Sequence, residues 1–584
     1  MRMLHPTFVM LGHLLVAGVA MGFAPRPDFL TPATSSHRAS APPREHLSTS
    51  IPSSGGFDGV ADTTRWEYNL QRGWLDAKVY SDGTRHTFGH APNGWLMSYI
   101  SARMITATYG RDAAGQLCTK LFSDDTPGVT NTWNQRDLVI AVQDAAGLRA
   151  NVFDAGSRLL STVVSGPASH ALTIAYATNS DERASAALEL GVSNALITTY
   201  AFGTNGLLSS ITAQCPALGT TNLTFTYAWL TNATLLSSIA FPNGMTNEFQ
   251  YQTNADRVAA LRVWPRFITP PSGSAAAPAL EYAYLYDAAG RCTNYSRPYE
   301  SHRDLYAYDT AGRLVQTIRQ TLGALSTAQW TYDTAGNRVA ETNAITGIST
   351  DCRYNGLNQI RSCTYDADGN LSTNAPWAYT WDAENRLTSV KSNGTLVATY
   401  QYDSQNRRIS KTVGTTTYRY IYDGWNLIAE TQTSTLPPFQ SSTNLYVWGA
   451  DHTGSLDTDS GGVRALLAII SGTTVYYPVM NNHGDVMALF DSTGTNIVAR
   501  YERDPFGVET QRSGSAASLC PFGFQSKYQD AESGLIYFGH RYYSPTLAVW
   551  LTRDPLEEQG GVNLYAYCAN DPIPQAGASG GGLA

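Results

Sequence analysis

The amino-acid sequence predicts an all-β protein built from tandem β-hairpins. The first observation is composition: Gly occurs 50 times and Tyr 34 times in 584 residues, while charged residues make up only 15%. This mixture favours strands and turns over helices. The second observation is the pattern along the chain: from Trp66 onward, short runs rich in Tyr, Thr, Val, Ile and Leu alternate with Gly, Asn and Asp. Only Leu188–Leu196 and Val463–Ile470 offer weak helical patterns.

The third observation is a recurring unit of about twenty residues. It reads Tyr-Asp-x-x-Gly-Arg-Leu in its fullest form, as in Tyr308 to Leu314, and its Asp stands at positions 287, 309, 333, 366, 382, 403 and 423. Asp can accept hydrogen bonds from backbone amides two residues on, and Gly or Asn tolerates the positive φ of a hairpin turn. Each unit therefore predicts one hairpin. A single hairpin is marginal in water, so the units are expected to stack as a repeat array.

The chain begins with a segment typical of secretion. Arg2 precedes an apolar run without charge until Arg26, and small residues at Gly18 to Ala20 favour cleavage after Ala20. Residues 1–24 are therefore predicted to be a signal peptide, with an uncleaved membrane anchor as the alternative. Residues 25–60 are predicted to be a disordered linker because they are rich in Pro and Ser.

Charge and cysteine content exclude several classes of function. The net charge of −8 and the lack of a Lys/Arg cluster argue against a nucleic-acid partner. Seven scattered cysteines form neither a dense disulfide framework nor a zinc motif, although a Cys352–Cys363 bridge stays open beside free thiols. No phosphate-binding loop, nucleophile elbow or zinc-protease motif occurs, so we expect no cofactor and no metal.

The repeats and the C-terminal region together resemble the RHS (rearrangement hotspot) or YD-repeat family. The matching C-terminal residues are Arg541-Tyr-Tyr543, Pro545, Trp550-Leu551, Asp554-Pro555, Gly560-Gly-Val-Asn-Leu-Tyr565 and Asn570-Asp-Pro572. The resemblance implies hairpins that wind into a spiral β-sheet shell, closed by an RHS-associated core. Tyr542, Tyr543, Trp550, Tyr565 and Tyr567 would be packing residues of that seam. The implied domains are a divergent YD-like region at 61–280, YD repeats at 281–430, the core at 431–572 and a Gly/Ala tail at 573–584.

The resemblance also implies one chemistry. In several family members the core is an aspartyl-type autoprotease, which needs one protonated and one ionised carboxylate. Asp554 is the best match for a catalytic Asp, with Arg553 beside it and Asp571 as the only later Asp. Ala548 and Val549 stand where the family has Gly-Arg, and the final Asp-Pro-x-Gly-Leu segment is missing. The alternative is that Asp554 only starts an Asp-Pro turn.

Other patterns point to weaker hypotheses. Asp457 and Asp459 come nearest to a calcium loop, and His483-Gly-Asp485 could serve base or metal chemistry, but turn and packing roles compete with both. Rows of Tyr and Trp could stack on sugars, or they could be cross-strand packing pairs.

The leading functional hypothesis is a secreted or cell-surface shell without a catalytic site of its own. It would serve cell contact or the encapsulation and delivery of a polypeptide cargo, with the cargo domain absent. The alternatives are self-cleavage at the core and a carbohydrate-binding surface module that binds cell-surface glycans. A membrane would be contacted only through an uncleaved N-terminal segment.

Overall fold

The computed structural model describes residues 63–573 apart from 179, 192, 220, 232, 254, 267–276, 438, 452–455 and 457–461, together with one short strand at 48–50. The predicted signal peptide, most of the predicted linker, the tail beyond 573 and the Asp457/Asp459 loop lie outside the described residues. No helix in the described part of the chain is long and apolar enough to cross a membrane.

An antiparallel meander of 26 strands forms the first sheet, in which each strand pairs with the next along the chain. Its strands are β1 (Ser48–Ser50), β2 (Thr63–Tyr68), β3 (Leu75–Val79), β4 (Arg85–His90), β5 (Leu96–Ile100), β6 (Thr106–Arg111), β7 (Leu117–Phe122), β8 (Val129–Trp133), β9 (Val139–Asp144), β10 (Gly147–Phe153), β11 (Leu159–Ser165), β12 (His170–Tyr176), β13 (Arg183–Leu190), β14 (Ser193–Phe202), β15 (Leu208–Gln214), β16 (Asn222–Trp229), β17 (Leu236–Ala240), β18 (Thr246–Tyr251), β19 (Val258–Trp264), β20 (Leu280–Tyr286), β21 (Cys292–Arg297), β22 (His302–Tyr308), β23 (Leu314–Thr321), β24 (Ala324–Tyr332), β25 (Arg338–Asn343) and β26 (Ile348–Asp351).

A second meander of 14 strands follows, and a small four-stranded sheet ends the described chain. The second sheet contains β27 (Thr364–Tyr365), β28 (Leu371–Asn374), β29 (Trp377–Trp381), β30 (Leu387–Ser392), β31 (Thr395–Tyr402), β32 (Arg408–Val413), β33 (Thr416–Asp423), β34 (Asn426–Ser434), β35 (Ser441–Trp448), β36 (Leu466–Ser471), β37 (Thr474–Met480), β38 (Val486–Phe490), β39 (Ile497–Arg503) and β40 (Glu509–Ser513). The third contains β41 (Tyr528–Gln529), β42 (Ile536–Tyr537), β43 (Tyr542–Ser544) and β44 (Val549–Trp550).

Helical structure in the described residues is limited to single 3₁₀ turns. They are Pro216–Leu218, Pro298–Glu300, Phe524–Ser526, Glu557–Gly560 and Cys568–Asn570. The two weak helical patterns are wrong as helix predictions, because their residues lie mainly in β13, β14 and β36. In β36 the apolar run reads as a helix stripe only because both faces of that strand are buried.

The all-β prediction is confirmed, and the unit at Asp309 shows how the repeat sequence builds a hairpin turn. In the unit at Asp309, one carboxylate oxygen accepts hydrogen bonds from the amides of Ala311 and Arg313, both at 2.9 Å. The other oxygen accepts a bond from Arg313 Nε at 2.7 Å. Gly312 has φ +85°, which an L side chain rarely adopts. The Asp, Gly and Arg of the motif therefore all have a structural role in the same turn.

Each unit is also joined to the next by its Arg and Tyr. Arg313 Nη1 donates to the carbonyl of Asp333, 2.6 Å away in the following turn, and its guanidinium lies 5.0 Å from the ring centre of Tyr332. The hydroxyl of Tyr332 donates back to the carbonyl of Leu314 at 2.7 Å. The same Arg–Tyr stacking recurs at Arg158–Tyr176, Arg291–Tyr308, Arg386–Tyr402 and Arg407–Tyr422. The repeat is therefore a two-way interlock between neighbouring units.

Ion pairs join the first sheet to the YD turns of the second sheet and to the C-terminal region. We call this series the cross-winding ladder. Its pairs, in chain order, are Lys78–Glu558, Arg103–Asp368, Lys120–Glu384, Arg149–Asp403 and Arg183–Asp423. From Arg103 onward, the acidic partners follow one another along the chain in the same order as the basic residues. The two sheets therefore run alongside each other in the same order, as successive windings do.

The largest buried cluster draws residues from both sheets. Ile211, Phe225 and Val263 come from the first sheet, and Tyr446, Leu466 and Val479 from the second. Gly449 allows a close approach of the two sheets, since a Cβ there would lie 2.1 Å from Tyr227 Oη. All seven cysteines are free, so the open Cys352–Cys363 bridge is not formed.

Candidate functional site at the closing segment

The residues from 520 to 573 form what we call the closing segment. Around its four short strands lies an aromatic cluster of Phe524, Phe538, Tyr543, Trp550 and Tyr567, in which the ring centres of Tyr543 and Tyr567 are 4.3 Å apart. All five tyrosine and tryptophan residues that the family resemblance assigned to the seam are buried, with at most 4% exposure. The packing role predicted for this segment is confirmed.

Polar side chains of the closing segment bind the backbone of YD turns. The hydroxyl of Tyr565 donates to the carbonyl of Gly369 at 2.7 Å, and Asn570 Nδ2 donates to that of Gly336 at 2.7 Å. The hydroxyl of Tyr537 likewise donates to the carbonyl of Asn406 at 3.0 Å. These acceptors belong to three turns of the repeat array, in both large sheets. The segment therefore fastens the two sheets to each other.

Asp554, the first predicted catalytic residue, is held in an ion pair. Its Oδ2 lies 2.9 Å from Arg541 Nη2, and the Arg541 guanidinium stacks 4.1 Å from the ring centre of Trp550. Burial lowers the pKa of Arg541 to about 10. The Asp554 Oδ1 accepts a bond from the amide of Leu556 at 2.8 Å, so this Asp does start an Asp-Pro turn.

Arg553, the predicted neighbour, faces a different part of the molecule. Its guanidinium stacks 3.8 Å from the ring centre of Tyr80, which directly follows β3 of the first sheet. A Cβ on Gly369 would lie only 2.4 Å from its Nε, so the turn at Gly369 leaves room for it. This contact gives Arg553 an anchoring role between the closing segment and both windings.

Asp571, the third predicted residue, has a carboxyl group whose pKa is shifted. Burial raises the pKa of Asp571 to about 7, and its Oδ1 is buried with no hydrogen-bond partner in the described part of the chain. It follows Cys568, Ala569 and Asn570, which all have positive φ between 45° and 64°. Such backbone is costly for non-glycine residues and is held here by surrounding contacts.

The structure does not join the two predicted carboxylates by a hydrogen bond. Asp554 is satisfied by Arg541 and the Leu556 amide, while charges from Arg291 and His483 act on Asp571. The catalytic roles of Asp554, Asp571 and Arg553 stay predictions. Arg541 is the partner that sequence reasoning missed, although it begins the quoted Arg-Tyr-Tyr motif.

A cavity of about 350 Å³ lies beside the end of the closing segment, and Ile573 forms part of its wall. His483 lines it with Nδ1 3.2 Å from the Asp485 carboxylate and Nε2 2.8 Å from the Gln525 amide nitrogen. Burial alone would raise the pKa of Asp485, but the neighbouring His483 and the Gln525 amide bring it to about 2. The predicted His-Gly-Asp pair is therefore a packed hydrogen-bonded pair at this wall.

Asp504 is a second carboxyl group at the same wall that the sequence did not single out. Burial raises the pKa of Asp504 to about 6, although its Oδ1 accepts bonds from the amides of Phe506 and Val508. The described residues contain no group of three or more His, Cys, Asp or Glu side chains arranged to hold a metal ion.

The repeat tyrosines do not offer open stacking faces at the units described above. Their hydroxyls donate into the preceding unit and their rings stack on arginines, as at Tyr332 and Tyr402. These aromatics are packing positions, and glycan binding elsewhere on the surface stays a prediction.

Comparison with known proteins decides the family. The teneurin YD-shell family model matches residues 276–573, which is just over half of the chain. The chain belongs to the teneurin YD-shell family. Its relatives include the RHS and YD-repeat toxins that the repeats and the C-terminal motifs resemble, so that recognition is confirmed.

Curated relatives of this YD-shell protein are much longer chains. The tRNA nuclease WapA of Bacillus subtilis is 34% identical over 278 residues, covering 45% of this chain and 11% of WapA. The toxin subunit YenC1 of Yersinia entomophaga is 26% identical over 399 residues, covering 57% of this chain and 39% of YenC1. The chain thus spans less than half the length of either relative.

A solved structure confirms the shell fold of this YD-shell protein. The crystal structure of TcdB2-TccC3 matches with a TM-score of 0.73 and 16% identity, covering 90% of this chain and 31% of the other. At that identity the likeness concerns the fold. The 90% coverage extends the likeness in fold to most of the first sheet before residue 276, where the family model does not match.

Proposed function

We propose that this YD-shell protein encloses a polypeptide cargo and delivers it to another cell, acting as a secreted or cell-surface protein. One observation carries the proposal: the closing segment fastens both windings, and the half-buried Ile573 at its end forms part of the wall of a cavity. A cargo polypeptide joined to the chain beyond that point would start next to this cavity. The relatives named as toxins or toxin subunits support delivery as the purpose.

A fusion experiment tests enclosure. A flexible, protease-sensitive reporter is attached after residue 584, and the matched control carries the same reporter before residue 63. Enclosure predicts that a broad protease degrades the N-terminal reporter first and spares the C-terminal reporter until the shell unfolds. Equal cleavage rates for the two reporters in the folded protein would overturn the proposal.

Cell contact is the finer part of the proposal and has its own test. The purified protein, labelled with a fluorophore, is added to cells of the source species and to unrelated cells. Binding that saturates on one of them supports contact through the shell surface. A glycan array, run on the same sample, would assign that binding to sugars or exclude them.

A second candidate function is self-cleavage at the closing segment, favoured by the raised pKa of Asp571. In this reaction an ionised carboxylate takes a proton from water as the oxygen attacks the peptide carbonyl. A protonated carboxyl then gives its proton to the departing nitrogen. Asp554, paired with Arg541, would be the base, and Asp571 would be the acid.

Intact mass separates this candidate from a passive shell. The wild type is compared with Asp554→Asn, Asp571→Asn and the turn variant Asp309→Asn after incubation at pH 6. Self-cleavage predicts C-terminal loss in the wild type and in Asp309→Asn, and full length in the other two. One uncut mass for all four proteins would exclude it.

A further inference from the structure

A second cavity, of about 470 Å³, lies away from the closing segment, between the first sheet and the strands β31 to β33. One wall is apolar and comes from β7, β9, β11 and β12. It includes Leu117, Val142, Val164 and Leu172, which are all buried. The size falls in the range of small-molecule sites, which are mostly apolar with a few placed polar groups.

The charged groups of this cavity are almost all paired with one another. Lys120 pairs with Glu384, and Arg183 Nη1 lies 2.5 Å from Asp423 Oδ2. Asp403 is shared by Arg407 at 2.7 Å and Arg149 at 3.6 Å. Every carboxylate that lines the cavity therefore already faces a cation.

Arg419 is the exception among the lining charges. It projects from β33 into the cavity wall, and its side chain makes no ion pair or hydrogen bond with any residue that the structure describes. Five basic side chains line the cavity against three acidic ones, so the surplus charge is positive. An unpaired guanidinium beside a hydrophobic wall matches a ligand with one carboxylate and an apolar body.

We propose that this cavity binds an apolar chain carrying a single carboxylate, with the carboxylate on Arg419 and the chain along the Val/Leu wall. Two sources share that chemistry: a fatty acid, or a short apolar stretch of polypeptide with one acidic side chain. The proposal does not depend on cargo enclosure, because the cavity is lined by residues remote from the closing segment.

Calorimetric titration of the full-length protein tests the site. The probes are octanoate, decanoate and dodecanoate, with decanol as the uncharged match. Burial of each added methylene predicts about fourfold tighter binding until the cavity is full. The charge on Arg419 predicts that decanoate binds about tenfold tighter than decanol. Equal binding of decanoate and decanol, or no dependence on chain length, would overturn the assignment.

Two variants locate the effect. Arg419→Gln is expected to abolish the preference for decanoate over decanol, while Arg303→Gln, at an exposed position of β22, should retain it. If Arg419→Gln does not fold, a photoreactive decanoate on the wild type replaces it. Cross-links to β7–β12 or β31–β33 support the site, and cross-links only elsewhere refute it.

The peptide acetyl-Leu-Val-Glu-Val-Leu-amide distinguishes the two sources, with its Glu-to-Gln analogue as control. Binding of decanoate without the peptide identifies a lipid-like anion, and binding of the peptide with loss in its analogue identifies a polypeptide segment. Failure of both probes refutes the proposal.

Discussion

Arg103 Nε lies 2.5 Å from Asp368 Oδ2, joining the loop before β6 to a YD turn that is 265 residues further along the chain. The same guanidinium donates to the carbonyl of Trp381 at 2.9 Å and to Asn385 Oδ1 at 3.0 Å. One side chain of the first winding therefore holds two successive turns of the second.

Loss of Arg103 should weaken the joint between the windings. Arg103→Met leaves the Asp368 carboxylate, which is 1% exposed, without its cation, so we expect a loss of about 3 kcal/mol in unfolding free energy. Urea denaturation measures it, with the exposed Arg303→Met as the matched control. In the Arg103→Met background, Asp368→Asn should recover part of the loss. A loss no larger than that of the control would contradict this role for Arg103.

Alanine substitutions at Gly369 and Gly323 distinguish the effect of backbone strain from the effect of steric crowding. Both have positive φ, +85° and +86°, but a Cβ on Gly369 would meet Arg553 Nε at 2.4 Å and Tyr565 Oη at 2.7 Å, whereas one on Gly323 would meet nothing within 4 Å. Gly369→Ala should therefore cost about 1–3 kcal/mol more than Gly323→Ala. Thermal unfolding compares them. Equal costs would show that the closing segment does not press on this turn.

The contact between neighbouring units depends on the branched, planar guanidinium of the motif arginine. Arg313→Lys keeps the charge but cannot bind Asp309, reach the carbonyl of Asp333 and stack on Tyr332 at once. We expect a loss of about 1–2 kcal/mol and faster amide exchange in β24, measured by mass spectrometry. Arg303→Lys is the control. Unchanged exchange in β24 would argue that the contact is dispensable.

Asp571 should make stability depend on pH. Its pKa is about 7 in the folded protein against an ordinary value of 3.8, so the folded state holds a proton that the unfolded state releases between these values. Stability therefore falls as pH rises from about 4 to 7 and is lowest above pH 7. Asp571→Asn should gain about 1–2 kcal/mol more at pH 8 than at pH 5, relative to wild type. Denaturant curves at both values measure the difference, and a gain independent of pH would contradict it.

Much of the local structure could be predicted from the sequence. The turn of the Tyr-Asp-x-x-Gly-Arg-Leu unit can be predicted from its sequence, because the residues that form the turn are close together in the chain. The burial of Tyr543 and Tyr567 followed from the family motif.

The long-range contacts could not be predicted in the same way. The pairs Arg103–Asp368 and Arg183–Asp423 join residues about 240 to 265 positions apart, and no local pattern links them. The pairing of Arg541 with Asp554 is more local, but it depends on the register in which β43 pairs antiparallel with β44. The domain boundaries proposed from sequence stay predictions, and the two large sheets part between Asp351 and Thr364, inside the proposed repeat region.

The cross-winding ladder has a consequence for how such a gene can change in length. From Arg103 to Arg183, each basic residue of the first winding meets an acid about 240 to 265 residues further along the chain, and the pairs follow the same order in both windings. Removing or duplicating one unit within either stretch would shift every later acid away from its base at once. Variation in repeat number is therefore confined to places outside the laddered stretch, or to paired changes in both windings.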